Sequence, residues 1–462
     1  MNALYGSKKD IQMKILPVIF VSMLWLTSAV SAYAQQPDTD TAKTEIKKGI
    51  NFGALPVVAY DSDRGLKYGG LVNLYNYGIG ETYPDYLQSL YLEISRTTKG
   101  SGINQLLFDS EHLIPDSPIR FTVDLSYFTD RSMNFYGFNG YRSKFNRDFM
   151  DKESGDYISR MFYRYERKLF HFSLIMQDKF HNKNFKWLLG VNHYNHKLST
   201  FNFARYNKKS GQNEQLKDTT TLYDLYQQWG FISEDEADGG ITNYLKAGLI
   251  YDTRDQRANP MKGMWSEILF ASAPGFLYNK NYEFIKMSLI HRQYFTLIPN
   301  DLNFATRIGY QGTIAGEAPF YMQSYLLSSF TSSVNVEGLG GSKSIRGLLR
   351  NRVLGDDIIY GNFELRWKFL YKKLFNQNFY FALSTFFDTG RTTDPIDINE
   401  NKLPKTEYER YFDSGNESFH SSAGLGLHIA MNNNFIVAVD YGKALDSRDG
   451  DQGIYIGMDF LY

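Results

Sequence analysis

The end of the chain alternates residue by residue. Ile454, Ile456, Met458, Phe460 and Tyr462 fall on one face of an extended strand, and Tyr455, Gly457, Asp459 and Leu461 on the other. A period of two with aromatics at the end predicts a strand whose apolar face meets lipid. Upstream segments follow the same rule. Phe435, Val437, Val439 and Tyr441 oppose Ala438 and Asp440; Leu425, Leu427, Ile429 and Met431 oppose Gly424, Gly426 and His428; Phe379, Phe381, Leu383 and Phe387 alternate with Tyr380, Ala382, Ser384 and Asp388. A row of strands, each apolar on one side and small or polar on the other, predicts the wall of a transmembrane antiparallel β-barrel.

Composition agrees with a wall that is greasy outside and wet inside. Aromatic residues make up 16% of the chain, yet its mean hydropathy is −0.40. Only 12 prolines occur in 462 residues, and no linker or low-complexity tract marks a domain split. Fifty basic residues balance fifty acidic ones, which gives no electrostatic case for nucleic acid. There are no cysteines, and a closed sheet requires no disulfide framework.

The N-terminus reads as an export signal. Lys8, Lys9 and Lys14 precede an apolar run from Ile15 to Val30, and Ala32-Tyr33-Ala34 supplies the small residues of a cleavage site. Residues 1–34 are therefore expected to be a signal peptide, with Met1 or Met13 as its start. Residues 35–49 are expected to be a short periplasmic lead-in, and residues 50–462 the barrel.

Strands in the second half are expected near 242–253, 263–272, 282–295, 301–313, 357–370, 376–389, 420–431, 434–444 and 453–462. In the first half they are expected near 66–76, 86–96, 102–112, 118–128, 157–166, 169–180 and 185–197. The outward parity switches between Tyr165 and Phe170, which predicts a turn or bulge at Glu166 to Leu169. This count places the long polar connections Ser199–Gly240, Thr313–Asp356 and Arg391–Phe419 on one side of the membrane, and Thr129–Asp156 on the other.

One long connection is distinctive. It ends in Gly338-Leu339-Gly340-Gly341-Ser342-Lys343-Ser344-Ile345-Arg346-Gly347-Leu348. Glycines let backbone pack close to a wall, and an arginine offers five donors in a rigid fork. On the next strands, alternation turns Glu364, Arg366 and Asp388 toward the lumen. A loop of roughly forty residues, at about 3.3 Å per residue, can reach down and back inside a barrel about 25–35 Å tall. Arg346 is then expected to bridge Glu364 and Asp388.

At these residues the sequence resembles the superfamily of the outer-membrane assembly factor BamA, its relative TamA and the two-partner secretion transporters, often labelled bacterial surface antigens. The resemblance rests on Ile345-Arg346-Gly347 in the loop, Glu364 on the following strand, and Phe386, Asp388 and Gly390 on the one after. Tyr251-Asp252-Thr253-Arg254-Asp255, with Asn259-Pro260 and Lys262-Gly263, looks like a further signature turn, and Pro56 to Gly70 carries a weaker likeness. Leu348 departs from the aromatic that usually follows the Arg-Gly pair, and the barrel is expected to stand without the polypeptide-transport-associated domains that precede most family barrels.

The resemblance implies a sixteen-stranded barrel with the loop folded into the lumen, where Arg346, Gly347, Glu364, Asp388 and Gly390 lock it and Gly338, Gly340 and Gly341 form its approach. It implies handling of polypeptide at the outer membrane, by insertion or export, with outer-membrane lipids, a polypeptide substrate and a periplasmic or lipoprotein partner. The lock is either purely structural or fixes the seam between first and last strands, where this family is thought to open sideways. A passive or gated pore for small solutes is the alternative function.

No enzyme reading competes. Gly338 to Ser344 lacks the Gly-Lys-Ser/Thr order of a phosphate loop. The eight histidines are scattered without metal spacing, so no metal or cofactor is expected, and His428 reads as lumen lining. Ser418, His420, Ser421 and Ser422 lie near a rim without a third catalytic group. The basic and aromatic run Tyr163, Arg164, Tyr165, Arg167, Lys168 and Phe170 is expected to be an interfacial girdle.

Overall fold

Alternation builds a closed wall because each strand finds a neighbour on both sides, leaving lipid no unpaired backbone. In a computed structural model, residues 48–462 are described except 62–64, 82–85, 112, 115–116, 209–214, 257–258, 280–281, 324, 330–337, 375–376, 432–434 and 459. The expected signal peptide lies outside the described residues. The first eight strands are β1 (Ile50–Asp61), β2 (Gly65–Asn76), β3 (Gln88–Thr97), β4 (Gly102–Ser110), β5 (Arg120–Asn134), β6 (Arg164–Lys179), β7 (Phe185–Thr200) and β8 (Ile241–Asp252). The second eight are β9 (Gly263–Ala273), β10 (Phe284–Ile298), β11 (Leu302–Gly316), β12 (Asp357–Leu374), β13 (Gln377–Asp394), β14 (His420–Met431), β15 (Phe435–Ala444) and β16 (Gln452–Met458). They form one antiparallel sheet of sixteen strands, closed where β1 meets β16.

The count of sixteen comes with two corrections in the first half. Residues 50–61 form a strand, β1, that the alternation does not announce. Residues 164–179 form one strand instead of two, β6, with no turn at Glu166 to Leu169. Parity runs unbroken along β6, with Tyr165, Arg167, Leu169 and His171 inward; the apparent switch arises because the aromatic Tyr165 is buried in the mouth instead of facing lipid, and the register irregularity lies on β5 between Asp130 and Met133. With both corrections the connection between β5 and β6 moves to the same end as the other long loops. All long connections then share one end, the extracellular one in outer-membrane barrels, and the opposite end carries the shorter turns.

Four of these long connections meet inside the mouth in an aromatic cap. Phe135, Phe138, Tyr223, Tyr226, Phe320 and Phe412 are buried there against inward-facing Tyr165 and Tyr194 of the wall. The rings meet edge to face, as in Phe135 against Tyr226, 5.0 Å between centroids at 88°, an arrangement that adds to the burial of apolar surface. Tyr163 and Tyr165 thus belong to the cap, and Arg167 turns inward to pair with Asp130 at 2.7 Å. Of the run expected to form a girdle, Lys168 and Phe170 face outward.

The C-terminus departs from its own pattern. Outward Ile454 and Ile456 keep the alternation, but β16 stops at Met458, and Phe460 and Tyr462 are buried inside the barrel. Phe460 stacks on His428 of β14, with centroids 4.1 Å apart, and the Arg366 guanidinium lies 4.3 Å over the same ring. The Tyr462 hydroxyl donates to the carbonyls of Ala305 and Asn362 at 2.9 and 3.1 Å, and Arg366 Nη2 donates to the Tyr462 carbonyl at 3.0 Å. A buried guanidinium offers these rings a cation–π partner that the hydrocarbon outside does not. His428 accordingly packs against the tail and does not face an open lumen.

Candidate functional site

The site grows from alternation on four strands. Glu364 of β12, Asp388 of β13, Asp440 of β15 and Tyr455 of β16 all point inward and are buried. The connection leading into β12 supplies what they hold. In its last part, from Gly338 on, Gly338, Gly340, Gly341 and Gly347 all take positive φ. At Gly340 a Cβ would lie 2.0 Å from the Leu349 carbonyl, so the curl of the segment requires glycine there. Ser344 fastens the curl from within, its hydroxyl accepting from the Gly340 amide at 2.9 Å.

The curl delivers Arg346, which is 1% exposed, to three carboxylates. Its Nε and Nη2 donate to Asp388 at 2.9 and 3.2 Å, and its backbone amide donates to the same carboxylate at 3.1 Å. Nη1 donates to Asp440 at 3.1 Å, and Nη2 lies 3.5 Å from Glu364. The face of the guanidinium rests 3.5 Å over the Phe386 ring. A planar fork fits this arrangement; a lysine ammonium on its flexible stem does not reproduce it.

The backbone beside Arg346 is held as closely. Gly347 donates its amide to the Tyr455 hydroxyl at 3.1 Å, which ties the loop to the last strand. A Cβ on Gly347 would come within 2.7 Å of Gly442 and Lys443, and one on Gly442 within 2.7 Å of Arg346. The loop therefore touches β15 glycine to glycine. Gly390 serves the same close approach on β13, where a Cβ would sit 2.9 Å from Leu339. On the other flank Asn362 donates to the Ser344 carbonyl at 2.7 Å, and Arg307 donates to the Lys343 carbonyl at 3.2 Å.

The structure thus brings Arg346, Gly347, Glu364, Asp388 and Gly390 together, with Gly338, Gly340 and Gly341 along the approach. Three members were missed by sequence reasoning, one of them Tyr455, which parity put on the inner face of the last strand without a role. Asp440 was assigned to the inner face by parity without being linked to Arg346, and Gly442 follows it by two residues on that face. Leu348, where an aromatic was expected, is buried with Leu339, Ile345 and Tyr360. His420 at the rim lies between Asp449 at 2.6 Å and Glu417 at 3.0 Å, with Tyr141 stacked on its ring; these contacts join loops and leave it no serine partner.

A closed sheet of this size with an apolar outer face and a filled, polar lumen defines an integral outer-membrane barrel protein. The profile of the Omp85 superfamily domain matches residues 88–460, and the chain belongs to that superfamily. Among solved structures, the fold is similar to BamA from Haemophilus ducreyi lacking POTRA domains 1–3, with a TM-score of 0.54 at 16% identity over 95% of this chain and 78% of that one. It is also similar to CdiB from Escherichia coli, with a TM-score of 0.52 at 12% identity over 90% of this chain and 63% of that one. At these identities the likeness is one of fold. No curated protein matches the sequence significantly.

Proposed function

We propose that this barrel handles polypeptide at the outer membrane, inserting or exporting it through the seam between β1 and β16. The observation that carries the reading is the seam itself. Among the described residues, β1 pairs with β2 along all twelve of its residues, but with β16 only through Tyr60↔Ile456 and Asp61↔Tyr455. Each lost ladder bond lowers the cost of parting two strands, so this is where the wall yields first. The aromatic cap supports the same reading, since a mouth filled with packed rings favours a sideways path over an axial one.

In this reading Arg346 is a positioning residue. It ties β13 and β15 to the loop, and Gly347 ties the loop to Tyr455 of β16, so one side of the seam is held rigid while β1 is left to move. A polypeptide substrate and a periplasmic or lipoprotein partner complete the proposal.

The chain has no cysteine, which makes the test clean. Tyr60→Cys with Ile456→Cys places two thiols at a paired position of the seam. Oxidation should stop the accumulation of other barrel proteins in the membrane, or secretion of an exported partner, and a reductant should restore it. Full activity with the seam covalently shut overturns the proposal. So does a normal level of all such proteins in cells lacking the chain, combined with steady ion conductance by the purified protein in planar bilayers.

A further inference from the structure

We infer that the outer wall at β6, β7 and β8 holds a phosphate-bearing lipid of the outer leaflet, its headgroup at Lys168 and Lys197 and an acyl chain in the groove below them.

Lys168 and Lys197 are directly opposite each other in the β6–β7 ladder, and both are exposed on the outward face. Like charges in that position destabilise a sheet unless an anion lies between them. No protein anion does: among the described residues neither ammonium has an ion-pair partner. Glu166, two residues up the same face, is taken by the Arg205 guanidinium and the Asn202 amide.

The height fits a headgroup. Outward Phe185, Trp187, Leu189 and Val191 make the lower part of β7 apolar, then His193, Asn195 and Lys197 follow. Lys197 is twelve residues from Phe185. That spans about 40 Å of strand, or about 30 Å of height at a tilt of roughly 40°, just past an apolar band about 25 Å tall.

Beneath the lysines lies a groove of about 380 Å³, lined on the wall by Phe172, Val191 and Leu245. The connection between β9 and β10 overhangs it. Asn243 of β8 and Asn279 hold that connection through reciprocal bonds of 2.8 and 2.7 Å, and Asn243 Nδ2 donates to the Leu277 carbonyl at 2.6 Å. So fixed, Phe276 and Tyr278 stand 78% and 79% exposed beside the groove. A polar pair, His193 Nδ1 with Asn243 Oδ1 at 2.7 Å, lies at its upper edge, where ester or amide groups of a lipid sit. Two cations above an apolar slot with rigid aromatic walls match an amphiphile carrying phosphate. A free phosphate ion would have no use for the slot.

Native mass spectrometry of the full chain in detergent, titrated with bis-phosphorylated lipid A and with its dephosphorylated form, tests this. The wild type should retain the phosphorylated lipid in preference. Lys168→Ala with Lys197→Ala should reduce that preference by roughly tenfold to thirtyfold, the effect of two ammonium groups at a membrane surface. Phe276→Ala with Tyr278→Ala should weaken both lipids and keep the preference. Lys168→Arg with Lys197→Arg should retain the preference, and unchanged thermal unfolding shows that each variant is folded. Equal retention of the two lipids by wild type, or undiminished preference in the alanine pair, overturns the inference. So does inorganic phosphate displacing the lipid completely, which would reduce the site to an ion site.

Discussion

Among the described ladders, the two edges of β1 differ more than those of any other strand. Toward β2 the strand is bonded from Ile50 to Asp61; toward β16 the ladder covers Tyr60 and Asp61. The same backbone is thus half of a strong joint and half of a weak one. The difference arises on the β16 side, where the strand is seven residues long and Phe460 and Tyr462 lie in the lumen instead of extending the ladder. The β16 side of this joint is held from within, by Arg346 through Asp388 and Asp440 and by Gly347 through Tyr455.

The largest expected effect on this contrast comes from Arg346→Ala. It leaves Asp388 and Asp440 without their cation and Glu364 with Arg366 alone at 3.5 Å, a loss of about 3–5 kcal/mol for a buried set. It should appear as a lower urea midpoint and as faster amide exchange in β15 and β16 than in β2. Arg346→Lys should recover less than half of the loss. Unchanged exchange in β16 would separate the lock from the seam.

Gly442→Ala comes next. Its methyl would meet the backbone of Arg346 and Gly347, and displacing that loop should cost about 1–3 kcal/mol by the same two measurements. Gly457→Ala, where a Cβ meets nothing within 4 Å, is the matched control on the neighbouring strand and should be close to neutral. Equal effects at the two glycines would show that loop contact is not what matters. Smaller again is Tyr462→Phe, which removes the hydroxyl donating to Ala305 and Asn362 and should cost about 1 kcal/mol. Its effect on exchange should be confined to the inner faces of β11 and β12.

Much of the wall was legible because alternation is a local signal. Leu383, Phe387, Leu425 and Leu427 face outward as their parity requires, and Asp388 and Glu364 face inward. Parity failed where a neighbour or a distant partner intervened. Tyr165 has the look of a lipid-facing aromatic but points inward and packs with Phe135 and Tyr223 of the loops, so the switch read at Glu166 does not exist. Phe460 and Tyr462 carry the spacing of lipid-facing residues, yet Arg366, nearly a hundred residues away in sequence, draws both rings inside. The motif residues around Arg346 were visible as types and spacings. Asp440 was not tied to them, because alternation says which way a side chain points and nothing about whom it meets across a lumen.

The glycine contact between Gly347 and Gly442 carries a consequence for the order in which the barrel is built. The loop is bracketed by β12, β13 and β15 and meets the last of these backbone to backbone. Arg346 and Gly347 can meet Asp440 and Gly442 only with β15 in place, so the loop is secured together with the end of the wall, and its charge leaves water at that stage.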